Sequence, residues 1–234
     1  MYKRILLKLS GEQLAGKHES GIDPDIAHYL AYEIKSALQT GCQIVVVVGG
    51  GNLVRGSQAA GHGIRRVTAD QMGMLSGLIN AMALTDIFES EDLPTRCLSM
   101  VFANQVAEPY SYRLAEKHLQ NKRVVVVAGG IARPYFTHDT AGVSIALELD
   151  CEVMIKASKV EGVYDKDPEQ FTDAKLLQTV GFDEALSNTA IKVMDKAAIG
   201  LAMEQHMPLL VFDAFKPGNL TRLVSGDTIG TKIS

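Results

Sequence analysis

Residues 44–48 read Ile-Val-Val-Val-Val, and the next three are Gly49, Gly50 and Gly51. No other junction in the chain constrains the fold as strongly. A run with no polar position does not suit a half-exposed strand, which would alternate. It needs cover on both faces, as in the interior of a parallel sheet. Three glycines at its exit remove every Cβ from the backbone at the sheet edge where α/β proteins bind their ligands. The arrangement recurs. VVVVA at 124–128 runs into Gly129-Gly130, and RILLKL at 4–9 runs into Ser10-Gly11. Two further runs, 153–155 and 209–212, read as strands of the same kind.

Helical patterns lie between the strands. Asp23-Pro24 combines an N-cap with proline at the first helical position, and Ile26, Leu30, Ile34 and Leu38 follow at helical spacing until Gly41. Further helices are expected over about 68–89, 111–119 and 190–206, and one opening after Asp139-Thr140, with Asp139 as its N-cap. The most polar stretch, 163–175, reads as a surface loop with Asp167-Pro168 as a turn. Strand and helix alternate along the whole chain. The expected fold class is α/β, a three-layer sandwich around a mainly parallel sheet.

Charge limits the function. Lys and Arg number 23 against 27 Asp and Glu, a net charge of −4, so no global positive field exists to hold a nucleic-acid polymer. Three cysteines in 234 residues do not make a disulfide framework. No apolar run approaches the ~20 residues of a membrane helix, and the N-terminus enters a strand pattern at once. A cytoplasmic protein is expected. The GxxxxGK[ST] phosphate loop is absent, and Val54 breaks the GxGxxG dinucleotide pattern. No HExxH, GxSxG or CxxC occurs.

The strand exits instead gather groups suited to phosphate. Lys8 stands just inside one exit, with Ser10 and Gly11 beyond it. Arg55 follows the triple glycine and can fork onto phosphate oxygens. Asp139 has two readings beside each other, a helix cap and a group that orients a lysine or a magnesium–water shell. In Lys156-Ala-Ser-Lys-Val-Glu-Gly-Val-Tyr-Asp-Lys-Asp-Pro168, Tyr164 can stack on a purine, Asp167 can accept from ribose hydroxyls and a lysine can reach phosphates. Met72, Met74 and Met82, with Leu75 and Ile79, read as core or a subunit contact.

These blocks occur in an order that resembles one known family. Lys8-Leu-Ser-Gly-Glu12, Gly49-Gly-Gly-Asn-Leu-Val-Arg-Gly56, Asp70-Gln-Met-Gly-Met74, the 156–168 block and Val193-Met-Asp195 resemble the amino-acid kinase family, and within it the bacterial UMP kinases, over essentially the whole chain. The resemblance implies transfer of the γ-phosphoryl group of ATP to UMP, with Mg²⁺ accompanying ATP and no metal held directly by the protein. It implies a single domain over 1–234, with an acceptor-side lobe at roughly 1–150 and an ATP-side lobe at roughly 151–234, assembled as a hexamer. Lys8, Asp139 and Asp195 are then the catalytic set, with Asp195 helping to orient Lys8. Lys8, Ser10, Gly11, Gly51, Arg55, Ser158, Tyr164 and Asp167 fall to ATP. Gly50, Asp70 and the loop of Ile131, Ala132, Arg133, Pro134, Tyr135, Phe136, Thr137 and His138 fall to UMP. Gly16, Gly21 and Arg96 correspond to the region that binds GTP as an activator, and UTP is the implied inhibitor. The chain departs from the family pattern in that loop. Where the family usually has Thr, Asn and Thr, this chain has Ile131, Arg133 and His138. Two other functions remain beside this one, a family relative phosphorylating a carboxylate, a carbamate or another nucleotide, and a nucleotide-binding oligomer without turnover.

Overall fold

The computed structural model describes residues 1–54, 63–166, 168, 170–188, 191 and 193–234. Among them, strands β1 (Arg4–Leu9), β2 (Gln43–Val48), β3 (Thr95–Ser99), β4 (Glu108–Pro109), β5 (Val124–Ala128), β6 (Met154–Ser158), β9 (Thr179–Val180), β10 (Leu209–Asp213) and β11 (Thr231–Ile233) form one sheet, in the order β4-β3-β5-β2-β1-β6-β10-β11-β9. All pairings from β4 to β10 are parallel, and β11 turns antiparallel onto β10. A small antiparallel pair, β7 (Val163–Tyr164) and β8 (Leu176–Leu177), stands apart.

Both faces of this sheet are covered, as its valine runs require. In β1, Ile5, Leu7 and Leu9 pack on one face with α2 (Pro24–Leu38), α3 (Arg66–Ser90) and α8 (Asn219–Ser225). Leu6 points to the other face, with α4 (Tyr112–Gln120), α5 (His138–Glu148) and α7 (Lys196–Glu204). Two short helices, α1 (Gly11–Leu14) and α6 (Phe182–Ser187), complete the described elements. No described helix is long and apolar enough to cross a membrane.

Three expectations are revised. The helix over 138–148 is capped by Thr137, whose Oγ1 accepts from the N–H groups of Asp139 and Thr140 at 3.0 and 3.4 Å; Asp139 is therefore inside the helix and its carboxylate is released for other work. The helix expected from 190 begins at Lys196, because the Asp195 carboxylate accepts from Ala198 N–H at 2.9 Å and fixes the start there. The polar stretch after 163 contributes β7 and leads into β8 rather than being loop throughout. Strand β3 is not among the expected strands, because it carries no apolar run: Thr95 and Ser99 are buried polar positions.

Strand β1 lies where the chain changes direction across the sheet. It pairs with β2 on one side and with β6 on the other. The carboxyl ends of β1, β2 and β6 therefore open together at the switch point, the position at which open α/β sheets bind ligands.

Candidate active site at the carboxyl edge of the sheet

Side chains alternate along a strand, so Lys8 shares a face with Leu6, toward α5. In β6, Lys156 shares a face with Met154 by the same rule. The β1–β6 register sets Lys8 directly opposite Lys156. Two ammonium groups side by side on a covered face repel each other and need an anion. Asp139, in the first turn of α5, supplies it. Its Oδ1 is 2.6 Å from Lys8 Nζ and its Oδ2 is 2.9 Å from Lys156 Nζ. Burial alone would push the Asp139 carboxyl up, but the two lysines outweigh it and hold it below the usual carboxylate range. Lys156 Nζ also donates to Val193 O at 2.5 Å.

Asp195 lies next to this group without touching Lys8. Its carboxylate accepts from Thr137 Oγ1 at 2.5 Å and from Thr140 Oγ1 at 3.0 and 3.1 Å, besides capping α7. Thr137 and Asp195 thus lock the N-termini of α5 and α7 together. Beside them opens a cavity of about 430 Å³, lined in part by Asp139, Lys156, Leu186, Val193, Met194 and Lys196.

The two phosphate-type turns meet through Gly11. A Cβ there would lie 2.6 Å from Asn52 Oδ1, Gly49 O and Gly51 N, so only glycine lets the turn after β1 sit on the turn after β2. Gly50 is equally confined against α3, where a Cβ would come within 2.5–2.7 Å of Ser76 Cβ, Gly73 O and Gly77 N. Ser10 caps α1, and its N–H is taken by Gln13 Oε1 at 2.9 Å; Gln13 Nε2 reaches Ala157 O, also at 2.9 Å, and so ties the β1 exit to the β6 exit.

Asp70 faces the loop over 131–138. It accepts from Tyr135 N–H at 2.8 Å and from Arg66 Nε at 2.8 and 2.9 Å, and the Arg66 guanidinium lies 5.4 Å from the Tyr135 ring centroid. Ala132 and Tyr135 hold φ of 55° and 71°, so the loop is bent where ordinary residues rarely go. Its other members, Ile131, Arg133, Pro134 and Phe136, lead to the α5 cap. The ring of half-buried His138 packs against Gly77, Gly49 and Gly130, and its buried Nε2 has no hydrogen-bond partner. Burial, with Lys8 nearby, lowers its pKa to about 4, so the ring is neutral at pH 7.

The remaining expected positions are spread more widely. Ser158 ends β6, where its Oγ accepts from Val160 N–H at 3.2 Å, and Tyr164 lies in β7. Gly16 and Gly21 have φ of 59° and 95° in the turn before α2. Arg96, on β3, binds Glu89 and the Thr95 carbonyl. Arg55 and Asp167 lie outside the described residues. Sequence reasoning left Lys156 unranked among several lysines, because only the strand register shows it opposite Lys8. Sequence reasoning does not single out Gln13, Arg66 or Asn80.

Comparison with known proteins agrees with this fold. The family model described as "Amino acid kinase family" matches residues 3–213. A UMP kinase from Bacillus anthracis is 34% identical, with a TM-score of 0.95 over 100% of this chain and 96% of that one. A UMP kinase from Ureaplasma parvum is 30% identical, with a TM-score of 0.91 over 100% and 99%. A uridylate kinase from Archaeoglobus fulgidus is 26% identical, with a TM-score of 0.74 over 98% and 99%. With the sheet order, the strand-end lysines and this full-length match in hand, the chain belongs to the amino acid kinase family.

Proposed function

We propose that this chain transfers the γ-phosphoryl group of ATP to UMP, giving ADP and UDP. The observation that carries the acceptor identity is the full-length likeness to two UMP kinases at 34% and 30% identity. An oxygen of the UMP phosphate forms the new bond to the γ-phosphorus. The bond to the β,γ-bridging oxygen breaks, and its electron pair leaves with ADP. The UMP phosphate has a second pKa near ~6 and is largely deprotonated at neutral pH, so the attack needs no general base. Charge stabilisation and alignment then carry the catalysis.

Lys8 and Lys156 are the groups we assign to the moving charge. Asp139 keeps both ammonium groups at the sheet edge and keeps them apart from each other. Asp195 acts one step back, through Thr137 and Thr140. The donor set suits a Mg²⁺ ion carried in on ATP, since both Asp139 oxygens already face lysines and no group of three or more metal-binding side chains gathers among the described residues. Such an ion would offset phosphate charge when bound. ATP is assigned to the side of Ser10, Gly11, Gly51, Arg55, Ser158, Tyr164 and Asp167, which is the lobe over roughly 151–234 together with the two turns. UMP is assigned to Gly50, Asp70 and the 131–138 loop on the lobe over roughly 1–150.

Assembly as a cytoplasmic homohexamer belongs to the same proposal. Its support is the outer face of α3, where Leu75 and Ile79 are 51% and 52% exposed and Met82 continues the stripe; apolar side chains at helical spacing favour cover by protein. GTP activation at Gly16, Gly21 and Arg96, with UTP as inhibitor, is proposed from the family resemblance.

An acceptor panel tests the reading. ADP release is followed with UMP, CMP, AMP, GMP, aspartate and carbamate as acceptors. UMP is expected to support the fastest turnover. Turnover with an acid or carbamate and none with UMP would move the chain to another branch of its family. Binding of ATP and UMP without ADP formation would make it a non-catalytic nucleotide binder.

A further inference from the structure

Two amides hold the triple-glycine turn from behind. Asn80 is fully buried in the middle of α3, and Asn52, at the end of the turn, is 4% exposed. They face each other as a reciprocal pair. Asn80 Nδ2 donates to Asn52 Oδ1 at 2.6 Å, and Asn52 Nδ2 donates to Asn80 Oδ1 at 3.0 Å. The second proton of each amide is also used. Asn80 Nδ2 reaches Gly49 O at 2.7 Å, and Asn52 Nδ2 reaches Gly21 O at 2.6 Å. Gly21 N–H returns to Asn52 O at 3.2 Å. This network has one consistent orientation. Rotating the Asn80 amide would set its oxygen against the Gly49 carbonyl, leaving two acceptors face to face.

The turn that this pair supports has donors to spare. Gly49 N–H goes to Leu9 O at 3.0 Å, and Gly50 O accepts from Leu53 and Val54. The N–H groups of Gly50 and Gly51 have no acceptor among the described residues, although Gly50 is buried. Buried N–H groups are almost always paired, so the Gly50 N–H, with that of half-buried Gly51 beside it, is the donor on which an anion would settle. The Gly50 N–H belongs to the peptide whose carbonyl, Gly49 O, Asn80 holds; the Gly51 N–H belongs to the next peptide, whose carbonyl, Gly50 O, is held by the Leu53 and Val54 N–H groups.

We infer that Asn80 and Asn52 are positioning residues for the acceptor phosphate: their paired amides fix the Gly49–Gly51 backbone so that its free N–H groups face that phosphate, and through Gly21 they fasten the 16–21 turn to the same backbone. The inference rests on the UMP reading of the site and extends it to two residues outside the set assigned to either nucleotide.

The test separates phosphate recognition from general packing. UMP and uridine share the nucleoside and differ in the phosphate. Their affinities are measured by calorimetry and NMR titration for the wild type, Asn80→Leu and Asn52→Ala, together with kcat and thermal unfolding. In Asn80→Leu, UMP affinity is expected to fall at least tenfold while uridine affinity stays within twofold, and kcat falls with it. Asn52→Ala keeps the Asn80–Gly49 bond and should show the same change in ratio, at about threefold; it carries the test should Asn80→Leu not fold. An unchanged ratio of UMP to uridine affinity in folded variants overturns the inference and leaves the UMP reading standing. A wild-type protein that does not bind UMP overturns both.

Discussion

Lys8 and Asp139 form an ion pair of 2.6 Å whose side chains are 10% and 11% exposed, and Lys156 completes it from the neighbouring strand at 2.9 Å. The pair joins a strand residue and a helix residue 131 positions apart in the chain. Removing either partner leaves an uncompensated charge in a shielded place, which typically costs about 3–5 kcal/mol in buried pairs, and less where water still reaches the group.

Lys8→Ala should therefore abolish turnover while weakening UMP binding only modestly, because the ammonium acts on the phosphoryl group in transit. Asp139→Asn should also lose turnover, and it should lower stability by about 2 kcal/mol, since two lysines are then left facing each other. Steady-state kinetics and urea unfolding check both. Near-normal turnover in Lys8→Ala would remove that lysine from the chemistry.

His138 predicts an acid limb in stability. Its folded pKa of about 4 lies below the ~6.5 of an unfolded histidine. Between those values the unfolded chain binds the proton that the folded chain refuses. The stability from a neutral, buried ring is fully present above pH ~6.5 and is lost as pH falls toward 4, a change of about 3 kcal/mol. Asp139, also depressed, adds a further loss below the ordinary carboxylate range. His138→Thr should flatten the urea-unfolding profile between pH 4 and 6.5 and leave the lower limb in place. An unaltered profile would show that the ring is not the group responsible.

Asp70 has a second occupation that sharpens its expected phenotype. Its carboxylate holds both Arg66 and the Tyr135 N–H, so a bound ribose hydroxyl must share or replace these contacts. Asp70→Asn is expected to cost UMP affinity at least tenfold and ATP affinity less than threefold by calorimetry. Equal losses for the two nucleotides would place the residue outside the acceptor side.

The outer face of α3 gives a prediction about assembly. Ile79→Glu sets a charge in the middle of the exposed Leu75–Ile79–Met82 stripe. Sedimentation should show the hexamer reduced to smaller species, while circular dichroism of the variant is unchanged because Ile79 is 52% exposed and lies outside the core. A persistent hexamer would assign the contact to another surface.

Much of the architecture could be read from residue order because its cause is local. A valine run with no polar position demands cover on both faces, and Asp23-Pro24 starts a helix wherever it is placed. The same locality explains the misplacements. Thr137, Asp139 and Asp195 are all plausible caps, and choosing among them depends on which oxygen another helix or strand claims. Asp139 loses the cap to Thr137 because two lysines from the sheet occupy its carboxylate, while Asp195 keeps a cap and takes two threonines besides.

The amino-acid sequence alone determined the α/β class, the main strands and the glycine-rich exits, since these follow from side-chain periodicity and from where Cβ is missing. It also carried the motif order that resembles the family. Only the tertiary structure decided that Lys156 stands opposite Lys8, that one aspartate serves both, that His138 carries a buried, unpaired ring nitrogen, and that Asn80 supports the glycine turn. Strand register and helix docking bring together residues from 8 to 156, and those distances depend on how the two sheet faces pack, which no local pattern records.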